Sequence, residues 1–224
     1  MAAELDHVFI CVCNNAPEAS ALAAFGLREG RANTHPGQGT ACRRFPFHNA
    51  YLELLWVNAP TEAQSAAIKP THLWERWVGR EGAACPFGIG FRPSAEDVSG
   101  STPFSAWEYR PPYLPGSWSF QVATNAGALA EPMLFYLTFG QRPDSRPGAR
   151  PQELENPAGL REITRAQLIG PPAADPSPAL ASVSSAGLVE MREGPAHLVE
   201  LGFDGEVQGR MVDFRPSLPL VFRW

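Results

Sequence analysis

The sequence predicts an α+β protein assembled from repeated βαβββ units, and three observations carry that expectation. Glycine and proline are abundant, 20 and 23 in 224 residues, which favours many short strands and turns over long helices. The first 57 residues alternate strand-length apolar runs with turn residues and one short helical stretch, in the order β-α-β-β-β. The stretches APEASALAAFG and DPSPALASVSSAG each follow a strand-like run and hold the same place in two units of similar layout, which marks an internal repeat.

Residues 5–13 (LDHVFICVC) are rich in β-formers and stop at Asn14-Asn15, which predicts a strand ending in a turn. Residues 16–25 carry a proline near the first turn, good helix formers, and Gly26 in C-cap position. Residues 28–32, the loop THPGQGT, and the runs 40–47 and 50–57 complete the first unit, 1–57, with His48-Asn49 in hairpin-turn position. Residues 71–80 place Leu73, Trp74, Trp77 and Val78 at helical spacing behind Thr71 as N-cap, so 70–80 reads as a connector helix. Strands at 86–93, 117–124 and 133–139 leave little beyond 94–98 for a helix, which makes 85–140 a helix-poor second unit. These pieces make one domain over 1–140. The polar, proline-rich stretch 141–158 is expected to be a surface linker. Strands at 161–169, 188–192, 196–203 and 210–214 and a helix at 177–186 give a third βαβ-type unit, 159–224, packed on the same domain.

With 18 basic against 23 acidic residues the net charge is −5, the wrong sign for a chain whose partner is a polyanion, so neither nucleic acid nor an anionic membrane is expected as partner. The four cysteines, 11, 13, 42 and 85, include a Cys-x-Cys but no Cys-x-x-Cys, and are read as free thiols of a reducing compartment. The opening MAAELDH lacks the basic charge of a signal peptide, and no apolar run approaches ~18 residues. A cytoplasmic protein is therefore expected, a monomer or homodimer with a small-molecule partner. GxSxG, phosphate-loop and dinucleotide motifs are absent from the sequence, which removes the common hydrolase, kinase and dehydrogenase readings.

Side chains alternate along a strand, so Leu5, His7, Phe9 and Cys11 share one face, as do Tyr51, Glu53, Leu55 and Val57. His7 and Glu53 are each the lone ionisable group on an apolar stripe. A buried carboxylate needs a cation, a donor or a wet cavity. An imidazole and a carboxylate converging on a pocket make half of an open divalent-metal site, or else a metal-free hydrogen-bonded pair.

The βαβββ order, Leu5-Asp6-His7 on the first strand, the loop His35-Pro36-Gly37-Gln38-Gly39-Thr40, and Tyr51-Leu52-Glu53-Leu54 on the fourth strand resemble the glyoxalase-like domain proteins of the vicinal oxygen chelate superfamily. The likeness is close over 5–57. Beyond that it rests on layout, on Gly88-Ile89-Gly90-Phe91-Arg92 and on the ending at 215–220. The resemblance implies paired modules curled into a partly open barrel around a pocket, often with a divalent metal held by a His and a Glu at the positions of His7 and Glu53. It leaves activity open, since the superfamily includes isomerases, ring-cleaving dioxygenases, thiol transferases and binding proteins.

A catalytic cation needs about three protein ligands and an open position, and the second unit's strands offer no His, Asp or Glu. The third unit carries Glu162, His197, Glu200 and Asp213. If it pairs with the first unit, Glu200 in HLVEL, an echo of YLELL, completes the set. His35 is either a turn residue of a glycine-rich loop or, as the resemblance implies, a gate that touches substrate and takes part in catalysis with Glu53. Of Arg43 and Arg44 only one can face inward; they are either solvated surface residues or, with Arg44 taken as the inward one, supply a guanidinium that clamps a carboxylate. Arg92 is an anion-binding candidate or a rim ion pair. Trp118, with Trp107, Tyr109, Tyr113 and Phe120, forms either pocket wall or plain core. The expected function is that of a divalent-metal-dependent lyase or isomerase (Zn, Mn, Ni or Fe) acting on a small oxygenated substrate. The rival is a non-catalytic binding protein using the same pocket without metal.

Overall fold

The computed structural model describes residues 3–96, 101–146, 154–172 and 175–224. The first unit consists of β1 (Ala3–Cys11), α1 (Ala19–Phe25), β2 (Asn33–His35), β3 (Thr40–Pro46) and β4 (Tyr51–Val57). All seven residues of β4 are buried, as expected of a strand covered on both faces. Helix α1 stops because Gly26 adopts φ 104°, a left-handed conformation from which its N–H reaches back to the helix carbonyls. A short helix not expected from the sequence, α2 (Pro60–Ala63), follows, with proline in its first turn. The connector is shorter than 70–80. Lys69–Thr71 forms a 3-10 turn, His72 takes the left-handed conformation, and α3 covers only Leu73–Val78.

Four strands make the second unit: β5 (Phe87–Pro93), β6 (Ala106–Tyr109), β7 (Phe120–Ala123) and β8 (Met133–Tyr136). Strand β6 was not separable from its aromatic neighbours by alternation. Part of the expected 94–98 helix and the middle of the 141–158 linker fall outside the described residues. The third unit holds β9 (Ile163–Gly170), α4 (Pro178–Ser185), β10 (Glu190–Glu193), β11 (Leu198–Phe203), β12 (Met211–Asp213) and β13 (Leu220–Arg223). Ser177 caps α4 by accepting the Leu180 N–H at 3.2 Å.

The first two units form one eight-stranded sheet in the order β2-β3-β4-β1-β5-β8-β7-β6. Its halves are alike. β1 lies parallel to β4 and β5 parallel to β8, and the halves join where β1 runs antiparallel to β5. The sheet is not closed, with β2 and β6 at its edges. The third unit does not pair with the first, which was the condition for Glu200 to complete a site there. It forms a second sheet, β10-β9-β11-β13-β12, in which the strand after the helix returns directly beside β9. The likeness between the two strand-helix stretches is therefore local and does not extend to sheet order.

The two sheets share a core. Val8, Ile10, Leu52, Leu54, Ile89 and Phe91 cluster with α1 and with Leu201, Phe203 and Phe222 of the second sheet, and the Phe47 and Phe203 rings lie 4.8 Å apart. Asn49 bridges the sheets, donating to the Ile163 carbonyl at 2.7 Å and accepting its N–H at 2.9 Å. The alternate residues of the same strands, Phe9, Cys11, Leu55, Met133 and Phe135, form a separate cluster on the other face. That face holds the cavity. No helix among the described residues is long and apolar enough to cross a membrane.

Candidate functional site

A cavity of about 620 Å³ opens on this face, lined by His7 and Phe9 of β1, Arg44 of β3, Tyr51 and Glu53 of β4, and Met133 and Phe135 of β8. The register explains the convergence. Glu53 lies opposite Phe9 on one side and Arg44 on the other, so the alternation that turns one inward turns all three. Tyr109, Tyr113, Trp118 and Phe120 wall the opposite side, and Trp118 is half-exposed at the rim against Phe139, with ring centroids 4.3 Å apart.

Asp6 also lines the cavity, which strict alternation does not allow for two consecutive residues. The pairing of β1 with β5 slips between Leu5 and His7, and Asp6 is the extra residue of the bulge. His7 Nδ1 donates to Asp6 Oδ1 at 2.7 Å, and the imidazole stacks on Tyr51 with centroids 4.3 Å apart. Burial raises the Asp6 carboxyl, but the His7 hydrogen bond and the charges of His7 and Arg92 outweigh it and hold Asp6 below the usual carboxylate range. With Nδ1 committed to Asp6, the ring nitrogen left for chemistry is Nε2.

Glu53 is buried, and burial pushes its carboxyl up. The Arg44 guanidinium, with Nε 3.4 Å from Oε2, and then His7 and His35 reverse that, so Glu53 is held below its ordinary value. His35 is held below its ordinary value, because burial lowers its pKa more than Glu53 raises it. Its Nδ1 is 2.8 Å from Thr40 Oγ1, which also accepts from Gln38 Nε2 at 2.8 Å, and Gln38 in turn accepts the Tyr109 hydroxyl at 2.9 Å. The His35 ring lies 4.6 Å from that of Tyr113. The loop histidine is thus a fixed part of the wall, buried and braced.

His35, Cys42 and Glu53 each offer a ligand atom, and the three atoms lie within 4.8 Å of one another, all on buried residues. They run diagonally across the neighbouring strands β2, β3 and β4. Among the described residues this is the group able to hold a metal ion. Cys42 was read from the sequence as a plain free thiol, and the signal that it belongs to the cavity's face of the sheet is its i, i+2 relation to Arg44 on β3.

Two expected site residues lie elsewhere. Glu200 is on β11 in the second sheet, where it takes Arg165 Nη2 at 2.5 Å and Arg223 Nε at 2.8 Å. It cannot complete a site with His7 and Glu53, because the third unit never joins the first unit's sheet. Arg92 is fully buried and faces no ligand. It holds Glu4 at 3.0 Å, Asp6 at 3.5 Å, and the carbonyls of Leu5 and Asn49 at 2.6 and 2.7 Å. Its work is to neutralise Asp6 and tie the β1 bulge to the β3–β4 turn.

A hypothetical protein from Staphylococcus aureus shares 11% identity over 100% of this chain and 98% of its own, at a TM-score of 0.52. A xylose isomerase-like TIM barrel/4-hydroxyphenylpyruvate dioxygenase fusion protein is 12% identical over 91% of this chain and 36% of that one, at 0.51. A methylmalonyl-CoA epimerase in complex with methylmalonyl-CoA and NH4+ is 15% identical over 62% of this chain and 95% of its own, at 0.41. At these identities the first two speak to fold alone, and the third adds no argument. None of the curated proteins matches the sequence. The family model of the glyoxalase-like domain matches residues 5–183, from β1 into α4. That span takes in the whole two-halved sheet and every cavity residue named above, and on it the chain belongs to the glyoxalase-like domain family.

Proposed function

We propose that this protein is a divalent-metal-dependent lyase or isomerase acting on a small oxygenated substrate with an apolar body, the cation being held by His35, Cys42 and Glu53. The observation that carries the reading is the convergence of one nitrogen, one sulfur and one oxygen donor within 4.8 Å, two of them, His35 and Glu53, on residues that line the cavity. Such a mixed set suits borderline cations such as Zn²⁺, and three protein ligands leave a position open. Burial pushes the Cys42 thiol up, so ligation has to displace its proton, as a metal does. When bound, the cation would polarise the substrate's oxygens.

The chain's own groups do the rest. Asp6 fixes His7 so that Nε2 is the nitrogen able to take a proton from the substrate and return it. Phe9, Met133, Phe135 and Phe120 hold the apolar body and keep water away. Tyr113, whose hydroxyl burial keeps protonated, is a neutral donor beside His35. Every one of these residues comes from one chain, so the reading needs no second copy. The four free thiols support a reducing, cytoplasmic setting.

A second reading, a metal-free binding pocket, is favoured by one observation. Arg44 already answers the charge of Glu53. Elemental analysis of protein purified without chelator, with melting curves in Zn²⁺, Mn²⁺ and Ni²⁺, separates the two. The metal reading expects stabilisation of about 2.7 kcal/mol at a hundredfold excess over Kd. Glu53→Gln and Cys42→Ser should abolish it, while Glu200→Gln leaves it intact. Metal-free protein that melts at the same temperature with every ion leaves the binding pocket as the function.

A further inference from the structure

Arg43 and Arg44 differ in how they are held. Arg43 is anchored by two bonds to Glu29, 2.7 and 2.5 Å long, and by one to the Ala16 carbonyl. Arg44 has no such anchor. Its Nε lies 3.4 Å from Glu53 without forming a hydrogen bond, and its side-chain hydrogen-bond neighbour is the Cys42 thiol. The guanidinium sits 5.3 Å from the centroid of the Tyr51 ring, which supports a cation independently of Glu53. Arg44 also lines a smaller cavity beside Asn33, Thr34 and Trp56, so it has space on two sides.

The charges give this loose contact a consequence. As the protein stands, Glu53 and Arg44 cancel, and Asp6 is answered by Arg92. A divalent cation on Glu53 and an ionised Cys42 is itself neutral, and it leaves the Arg44 charge partly buried without a partner. A buried charge left so is costly. One further negative charge within reach of Arg44 restores the balance.

We infer that the Arg44–Glu53 pair is a charge exchange: the cation takes Glu53, and the freed Arg44 takes a carboxylate of the substrate, so that cation and carboxylate bind with mutual reinforcement. This rests on the cation reading above and adds the substrate class, a monocarboxylate with an aromatic or other apolar body, and the coupling between the two ligands. The planar guanidinium over Tyr51 is suited to a two-point grip on a carboxylate, and the aromatic wall to the body behind it.

Titration calorimetry with Zn²⁺ and benzoate as the probes tests it. In the wild type each ligand should tighten the other by the same factor, about tenfold, since linkage is reciprocal. Arg44→Gln should bind Zn²⁺ more tightly than wild type in the absence of benzoate, lose benzoate binding, and lose the coupling. Glu53→Gln should bind benzoate more tightly than metal-free wild type, because Arg44 is then released without any metal. Zn²⁺ that binds with the same affinity whether or not benzoate is present overturns the exchange while leaving the cation reading standing. Failure of Zn²⁺ to bind either wild type or Arg44→Gln removes the cation reading and the coupling together. The carboxylate assignment then falls or stands on whether benzoate tightens in Glu53→Gln.

Discussion

Asp6 and His7 are neighbours in sequence, yet both face the same cavity and meet at 2.7 Å. The bulge in β1 is what allows this, and the His7 hydrogen bond, with the charges of His7 and of Arg92 buried behind the bulge, keeps Asp6 ionised. A carboxylate, an imidazole and a guanidinium therefore act as one buried unit, in which Nε2 is the His7 ring nitrogen not taken up by Asp6.

Arg92→Met should destabilise the fold by about 3–5 kcal/mol, because it removes one of the two positive partners of buried Asp6 and strips two carbonyls of their donor. Urea unfolding followed by circular dichroism measures it. A loss under about 1 kcal/mol would show that the ion cluster is not what holds the bulge.

Stability should fall at low pH. Asp6 and Glu53 are both held below their ordinary values of 3.8 and 4.5. A depressed carboxyl contributes its full stabilisation above the ordinary value and loses it as pH drops through the lowered one. The melting temperature should thus be level from about pH 7 to 5 and decline below about pH 4. The decline should be shallower in Glu53→Gln, which removes one of the two groups, and identical acid limbs would contradict this assignment.

Gly88→Ala should narrow the cavity. A Cβ at Gly88 would overlap the edge of the Phe9 ring at Cε1 and Cζ, so the ring would have to swing away from β5. Overpacking of this kind costs about 1–3 kcal/mol. Benzoate affinity should fall with it, and full affinity in a stable variant would mean that Phe9 is not a wall of the binding space.

Asn49→Ala should loosen the second sheet from the first. The side chain makes both bonds to the Ile163 backbone, and losing them should cost about 1–3 kcal/mol. Hydrogen exchange at the Ile163 amide should speed up before that of β4. Equal exchange in variant and wild type would show that the aromatic contacts alone hold the sheets together.

The sequence by itself determined the strands with uninterrupted apolar character, β1, β3, β4, β5, β9 and β11, and the helices with end signals, because Gly26 and Ser177 act on residues within one turn. It also placed His7 and Glu53 as site candidates, since a lone charge on an apolar stripe is a local pattern, with His35 added through the resemblance of its loop and Arg44 through alternation with Arg43. Only the tertiary structure decided which of these meet. Asp6 joins His7 through a one-residue slip against β5, a strand some eighty residues away, and no alternation within β1 records it. Cys42 becomes a candidate ligand because β2 and β4 flank β3. Glu200 and Arg92 are charged residues on buried strands like Glu53, and what separates them is the partner each finds across the sheet: Arg165 and Arg223 for one, Asp6 for the other. A local pattern can show that a buried charge needs a counterpart, whereas the identity of the counterpart depends on strand order, which is set by the packing of the whole chain.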